Sequence, residues 1–405
     1  MEKPVSIVLV GIGGMGAAYL AALLENKAHR DFRLVGTVDP QPRRCPQLAE
    51  LRALDIPVFE TLEEFYGRHK ADLAIIASPI HFHCGQTCLA LSRKSCVLCE
   101  KPAAGTVQEV LWMREAEKAA GRWVAVGFQW SFSPAIQALK NDIRAGMYGR
   151  PRRLKCLYLW PRNVAYYKRN DWAGKLKDPE GRWILDSPAN NAMAHDLHNM
   201  FYVLGQERET AARPVRVEAE LYRAHEIENF DTAALRCLTD DGVEILFYVS
   251  HSAAVDTGPV FSYEFEQGEI SAGGKGADIK GFLLAGEKNY GTPDGEPLRK
   301  MWEAIDSVGG RALPACGLDA SLGQTLAVNG AQDSRPEVQE FPRETIVSQG
   351  EPGSLEVTVA GLAEVLDECY RKNALPSDLG VSWSRKGRVV SLVDYVYFPG
   401  GSRSG

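Results

Sequence analysis

Gly11-Ile12-Gly13-Gly14-Met15-Gly16 follows the apolar run VSIVLV and opens a stretch of helix-forming residues. Glycines at this spacing build a phosphate cradle. The first permits a tight turn, the second lets the backbone approach a pyrophosphate, and the third lets the helix pack closely with its N-terminus aimed at the anion. Asp39 ends the next β-rich run, about the right distance on to accept hydrogen bonds from an adenosine ribose. A carboxylate there repels a 2′-phosphate and favours NAD, whereas Arg43 and Arg44 close behind it can neutralise that phosphate and leave NADP open. A second group of chemistry-bearing residues lies in SPANNAMAHDLHN, residues 187–199. Ser187 suits an N-cap, Pro188 the first helical position and Gly205 a helix stop, so one helix is predicted over 188–204. At about 100° per residue, Asn191, His195, His198 and Tyr202 fall within roughly 60° of one another. Met193, Leu197, Met200, Phe201 and Leu204 gather opposite them, and Asp196 projects away from the polar stripe. No Lys, Glu or Arg occurs between 187 and 205, so this short-polar stripe suits a cleft better than open water. Histidines there are candidate acids or bases near neutral pH.

Elements that hold such groups are legible on both sides. VSIVLVG, FRLVGTVD, ADLAIIAS, KSCVLCE and RWVAVGF are continuous apolar runs separated by helical stretches, which implies a parallel sheet covered on both faces. Past residue 150, VRVEAELYR alternates strictly, TAALRCLT and VEILFYVS flank an Asp241-Gly242 turn, and VFSYEFEQGEIS follows. These read as antiparallel strands of one open sheet. The expected fold is therefore α/β: a dinucleotide-binding doubly wound domain over residues 1–128 and a second α/β domain with an open antiparallel sheet over 129–400. A helix is predicted near LEVTVAGLAEVLDECYRK.

Composition is that of an ordinary globular protein, and the formal charge of −6 argues against nucleic acid as a partner. No apolar run has the length of a signal peptide or a membrane span, so a cytoplasmic protein without membrane contact is expected. The nine cysteines mostly sit in apolar runs; Cys96 and Cys99 are spaced CxxC but lie in a predicted strand, where they read as core thiols, and no metal site is expected.

Ser78-Pro79 with His83 four residues on, Glu100-Lys101-Pro102 after a later strand, and the glycine fingerprint together resemble the glucose–fructose oxidoreductase, inositol dehydrogenase and rhizopine-catabolism (Gfo/Idh/MocA) family. The likeness extends through GFQWSFSP and the helix ending at Leu204-Gly205. It implies a Rossmann domain joined to an open-faced domain, NAD(P) chemistry on a small carbohydrate, and a homo-oligomer, dimer or tetramer. It also implies cofactor contacts from Ser78, Pro79, His83 and Glu100, and contact of Lys101 with both the nicotinamide ribose and the substrate hydroxyl. The family's helix carries DxGxHxxD; counted back from Gly205, His195 takes the histidine while Asn191 and His198 replace the two acids. Lys101, His195, His198 and Asn191 are the catalytic candidates, and Tyr167, Arg169 and Trp172 join Lys101, Asn191 and His195 as substrate contacts. The implied reaction is oxidation of a secondary alcohol on a sugar, polyol or glycoside. An NAD-assisted glycoside hydrolase and a non-catalytic dinucleotide- or sugar-sensing regulator are the alternatives.

Overall fold

Strands that are apolar along their whole length need cover on both faces, and the first half of the chain supplies it. The computed structural model describes residues 3–28, 30–310 and 312–400. Strands β1 (Val5–Val10), β2 (Phe32–Val38), β3 (Val58–Phe59), β4 (Leu73–Ile76), β5 (Cys96–Cys99) and β6 (Val124–Val126) form one sheet in the order β3-β2-β1-β4-β5-β6. Every pairing in it is parallel. Helices α1 (Met15–Asn26), α2 (Leu48–Ala53), α3 (Leu62–Arg68), α4 (His83–Ser92) and α5 (Val107–Ala120) alternate with these strands. The order reverses beside β1, which leaves the crevice at the strand C-termini where a dinucleotide fits. Cys96 and Cys99 are buried at the two ends of β5, and burial pushes both thiols up.

The second half begins at α6 (Pro134–Arg144) and builds a larger sheet from β7 (Pro151–Leu159), β8 (Pro214–Arg223), β9 (Thr232–Thr239), β10 (Glu244–Ser250), β11 (Thr257–Phe265), β12 (Gly268–Gly273), β13 (Ile279–Leu283), β14 (Gly286–Gly291) and the short β15 (Gln339–Glu340). Its order is β14-β13-β12-β11-β7-β10-β9-β8-β15, antiparallel apart from β7–β10 and β8–β15. The Asp241-Gly242 turn joins β9 to β10, with Gly242 at φ 79°. The predicted α/β class with a mostly antiparallel second sheet is what the chain adopts. Among the described residues no helix is long and apolar enough to cross a membrane.

Between α7 (Val164–Tyr167) and α8 (Ala194–Tyr202) the structure departs from the single helix predicted over 188–204. Residues Pro188–Ala192 form one π-helical turn, in which the Met193 N–H reaches back to the Pro188 carbonyl at 2.8 Å. The chain breaks at Met193 (φ −112°, ψ 19°) before α8 starts. The cause lies in the two asparagines, whose amides bond outside the helix: Asn190 to the Ile184 and Leu185 carbonyls, Asn191 to Asp186. Helices α9 (Arg299–Ser307), α10 (Leu318–Ser334) and α11 (Leu362–Lys372) complete the fold. The helix predicted near the C-terminus begins only at Leu362, because Glu356–Val359 is a strand. Every α10 residue except Asp319 in its first turn is buried, since the helix packs against β8, α8 and α5 at once.

Candidate active site

The strand β1 to helix α1 turn has the shape its glycines demand. Gly11 sits at φ +79°, and a Cβ there would lie 2.7 Å from the Ala77 carbonyl oxygen; a Cβ on Gly16 would lie 1.8 Å from the Gly11 oxygen. Gly13 meets nothing within 4 Å and Gly14 is exposed, so the outer side of the loop is open beside the α1 N-terminus, with Met15 half-buried next to it and the Ile12 side chain turned into the core. Asp39 accepts from the Ile12 N–H at 3.0 Å and the Gln41 N–H at 2.7 Å, which fixes its carboxylate next to the glycine loop. A cavity of about 530 Å³ adjoins it, lined in part by Pro40, Pro42, Arg52 and Phe59, with room for a nucleoside. Arg43 and Arg44 are exposed. An open backbone cradle beside a fixed carboxylate fits NAD.

At the C-terminal end of β5, Lys101 points its ammonium across to the other half of the molecule. It donates to the Asn191 carbonyl at 2.6 Å and to Asn191 Oδ1 at 2.9 Å. Asn191 in turn donates through Nδ2 to Asp186 Oδ1 at 2.8 Å, and Asp186 Oδ2 accepts from the Gly174 N–H at 2.7 Å. Asp186 thus fixes which way the amide faces, so that its oxygen and not its NH2 meets the lysine. Burial pushes Lys101 down to about 8; Lys300 and Arg169 add to the effect, and Glu100 and Asp186 oppose it. His195 lies on the same side of the cleft, edge-on to Phe128 at 5.9 Å. Burial, with Lys101 and Lys300 behind it, holds its pKa well below the usual range, so its ring is neutral at physiological pH and does not titrate there as predicted. Its Nδ1 is buried without a partner.

Residues 5–128 match the model of an oxidoreductase family with an NAD-binding Rossmann fold. That model is the Gfo/Idh/MocA oxidoreductase one, and it matches this N-terminal part of the chain alone. It is 33% identical over 151 residues to an inositol 2-dehydrogenase of Acidothermus cellulolyticus, a match covering 37% of this chain and 43% of that protein. It is 30% identical over 146 residues to a 1-carboxy-3-chloro-3,4-dihydroxycyclohexa-1,5-diene dehydrogenase of Comamonas testosteroni, covering 35% and 36% respectively. The chain thus spans less than half the length of these curated relatives. Among solved structures, the WlbA dehydrogenase of Bordetella pertussis, crystallised with NADH and UDP-GlcNAcA, aligns over 82% of this chain and 97% of its own at a TM-score of 0.68 and 20% identity. The UDP-N-acetylglucosamine 3-dehydrogenase GnnA of Acidithiobacillus ferrooxidans aligns over 81% and 96% at a TM-score of 0.62 and 16% identity. Both share the fold.

Several positions that the family pattern implies do other work here. His83 is buried, with Nδ1 against the Pro102 carbonyl at 2.8 Å and Nε2 against the Ser78 carbonyl at 2.9 Å; it ties the turn after β4, with Pro79, to the turn after β5 and has no nitrogen left for a cofactor. Glu100 turns inward: Tyr19 donates to it, and so does Lys300 at 2.5 Å. Ser78 donates to Gln86 at 2.6 Å. His198 is fully buried, stacked on Phe128 at 3.9 Å, and its Nε2 meets Ser131 Oγ at 2.9 Å. Burial pushes it down to about 3, so its ring is a wall beneath the site and not an acid or base of the cleft. Tyr202 is likewise buried, so the predicted polar stripe faces the cleft only at Asn191 and His195. Asp196, read as pointing away, is buried, and burial pushes its carboxyl up to about 8. Tyr167 spends its hydroxyl on His251 Nδ1 at 2.8 Å, and Trp172 is half-buried with Arg169 above it at 5.4 Å. Trp130, within GFQWSFSP, donates to Asp294 at 2.7 Å. Sequence reasoning missed Asp186 and Lys300, because neither lies in a motif.

Proposed function

We propose that this chain oxidises a secondary alcohol of a sugar, polyol or glycoside to a ketone, with Lys101 taking the hydroxyl proton. The carrying observation is a half-buried lysine, held at about 8 and aimed by Asn191, at the mouth of a dinucleotide crevice. NAD, when bound, supplies the hydride acceptor. Below about 8 Lys101 is an ammonium that hydrogen-bonds the alcohol oxygen; above it, the free amine accepts the proton. Neutral His195 offers an acceptor to the same hydroxyl. Asn191 orients both lysine and substrate and cannot titrate. Tyr167, Arg169 and Trp172 line the substrate side of this reading, and a homo-oligomer in the cytoplasm is its expected setting.

The NAD-assisted hydrolase requires further acids and bases beside Lys101, and the burial of His198 removes the one this chain offered in place of a carboxylate. A sensing regulator has no need of a lysine tuned toward neutrality. The test mixes protein, NAD and a panel of sugars, cyclitols and glycosides and follows absorbance of the reduced cofactor. Failure of every carbohydrate to produce it sinks the reading.

A further inference from the structure

Residues 158–172 lay aromatic rings and guanidinium groups side by side along the cleft. Tyr158 and Trp160 stack with centroids 5.5 Å apart and planes at 4°. The Arg162 guanidinium lies 3.6 Å from the Trp160 ring and 4.6 Å from the Tyr166 ring, and Arg169 lies 3.7 Å from that same Tyr166 ring. The base of the row is pinned. The Arg162 N–H donates to the His251 carbonyl at 2.9 Å, and the Arg162 carbonyl meets His225 Nε2 at 3.0 Å, while Asp231 holds the other ring nitrogen of His225.

Neither guanidinium of the row is bonded to a carboxylate of the described residues, although Asp186 lies within electrostatic reach of Arg169. Arg153, Arg182, Arg208, Arg223 and Arg236 all pair with carboxylates. Among the described residues no ion pair joins Arg162 or Arg169 to an acid: Arg162 Nε is buried without a partner, and Arg169 bonds only the Tyr166 carbonyl, at 2.5 Å. The acids nearby are committed elsewhere. Asp186 serves Gly174 and Asn191, and Asp231 serves His225 and the Ala224 N–H. Lys275, the third cation on the row at 4.7 Å from Trp160, is neutralised by Asp256 at 2.6 Å. Two like charges gathered on one ring repel unless an anion joins them. A guanidinium stacked flat on an aromatic face keeps its N–H edge free for two parallel bonds to a carboxylate or phosphate. The Tyr167 ring lies 3.2 Å from where a Gly174 Cβ would stand, and the Gly174 N–H donates to the Asp186 that holds Asn191 against Lys101, so the row abuts the hydrogen-bond chain that ends at the reacting lysine.

We infer that Arg162 and Arg169 form an anion-recognising end of the substrate site, so that the carbohydrate taken carries a carboxylate or a phosphate. The inference rests on the oxidation proposed above but is separable from it. Calorimetry on the full chain with NAD compares glucose, glucuronate and glucose 6-phosphate. One of the two anions binds at least about tenfold more tightly than glucose, and which one tells carboxylate from phosphate. Arg169→Met, at an exposed position, cuts that preference at least about fivefold, Arg162→Met removes it, and Arg169→Lys keeps part of it. Equal binding of the three sugars, no binding of either anion at about 10 mM, or a preference unchanged in both Met variants overturns the inference. Arginine-dependent anion binding without cofactor reduction by any sugar sinks the oxidation and leaves the anion site. Oxidation of neutral and anionic sugars at equal rates does the reverse.

Discussion

Asp186, Asn191 and Lys101 form one chain of hydrogen bonds, and burial, partly offset by Glu100 and Asp186, sets the working range of the lysine. Because the folded pKa of Lys101 lies near 8, the proton-accepting form is scarce below that and dominant above it. We therefore expect kcat/KM to rise with pH through about 8 and level off beyond it, in a stopped-flow or steady-state profile. Lys101→Met lowers kcat/KM by roughly 10²- to 10⁴-fold and abolishes that limb. Asp186→Asn tests the positioning role. Removing the carboxylate takes away a charge that favours the ammonium, so the limb moves to lower pH. The new amide no longer fixes Asn191, and kcat/KM falls roughly 10- to 100-fold with most of the loss in kcat. A variant with an unmoved limb would show that Asp186 is merely structural. Asp186 was not legible in the sequence because it precedes the helix cap in an irregular stretch, beside Leu185 at φ 53°, where no periodicity assigns a direction. His198 was misread for the opposite reason: a helical wheel supposes one buried face, and α8 is buried nearly all round, so a polar residue at the right angle lies under Phe128.

At the scale of elements, turns were legible wherever a residue type has one structural use. The glycine fingerprint, the Asp241-Gly242 hairpin and the end of the second strand at Asp39 all stand where their chemistry placed them. Helix α10 was not, since a helix buried all round beyond its first turn carries no amphipathic period to read. The glycine loop yields a contrast between two alanines. Gly16→Ala puts a Cβ against backbone and should cost folding stability, whereas Gly13→Ala enters open space and should leave the unfolding free energy within about 0.5 kcal/mol of the parent. If the pyrophosphate lies where that space is, NAD titration of Gly13→Ala shows affinity lowered at least about tenfold. The turn after β5 is held from behind by the buried Lys300–Glu100 pair, whose carboxylate lies below its usual pKa through Lys300 and Tyr19, against burial. Lys300→Met strands that carboxylate and should cost about 3–5 kcal/mol in denaturant unfolding. Glu100→Gln with Lys300→Met should cost less than Lys300→Met alone; a double variant worse than either single would show that the pair acts through packing and not charge.

For the whole molecule, the boundary read near residue 128 is crossed by the chain's later half. Lys300 reaches Glu100 and the Gly127 carbonyl, and the Cys316 carbonyl accepts from the Val126 N–H at 2.8 Å. Asn329 on α10 accepts from the Val107 N–H at 2.8 Å and donates to the Gly105 carbonyl at 3.0 Å. Such contacts pair residues more than 150 positions apart, which no local pattern encodes. They also mean that the crevice floor and the substrate wall are fastened by the same helix, so the distance from Lys101 to Asn191 is set by the core and not by a hinge alone. If that is so, the two halves should melt together. Calorimetry of the full chain is expected to give one endotherm. Asn329→Ala, which leaves a buried N–H and a buried carbonyl without partners, should lower the unfolding free energy by about 1–3 kcal/mol for each orphaned group and move the whole endotherm to lower temperature. Separate endotherms, with only the earlier one shifted by Asn329→Ala, would show that the halves fold independently and that α10 is a passive strut between them.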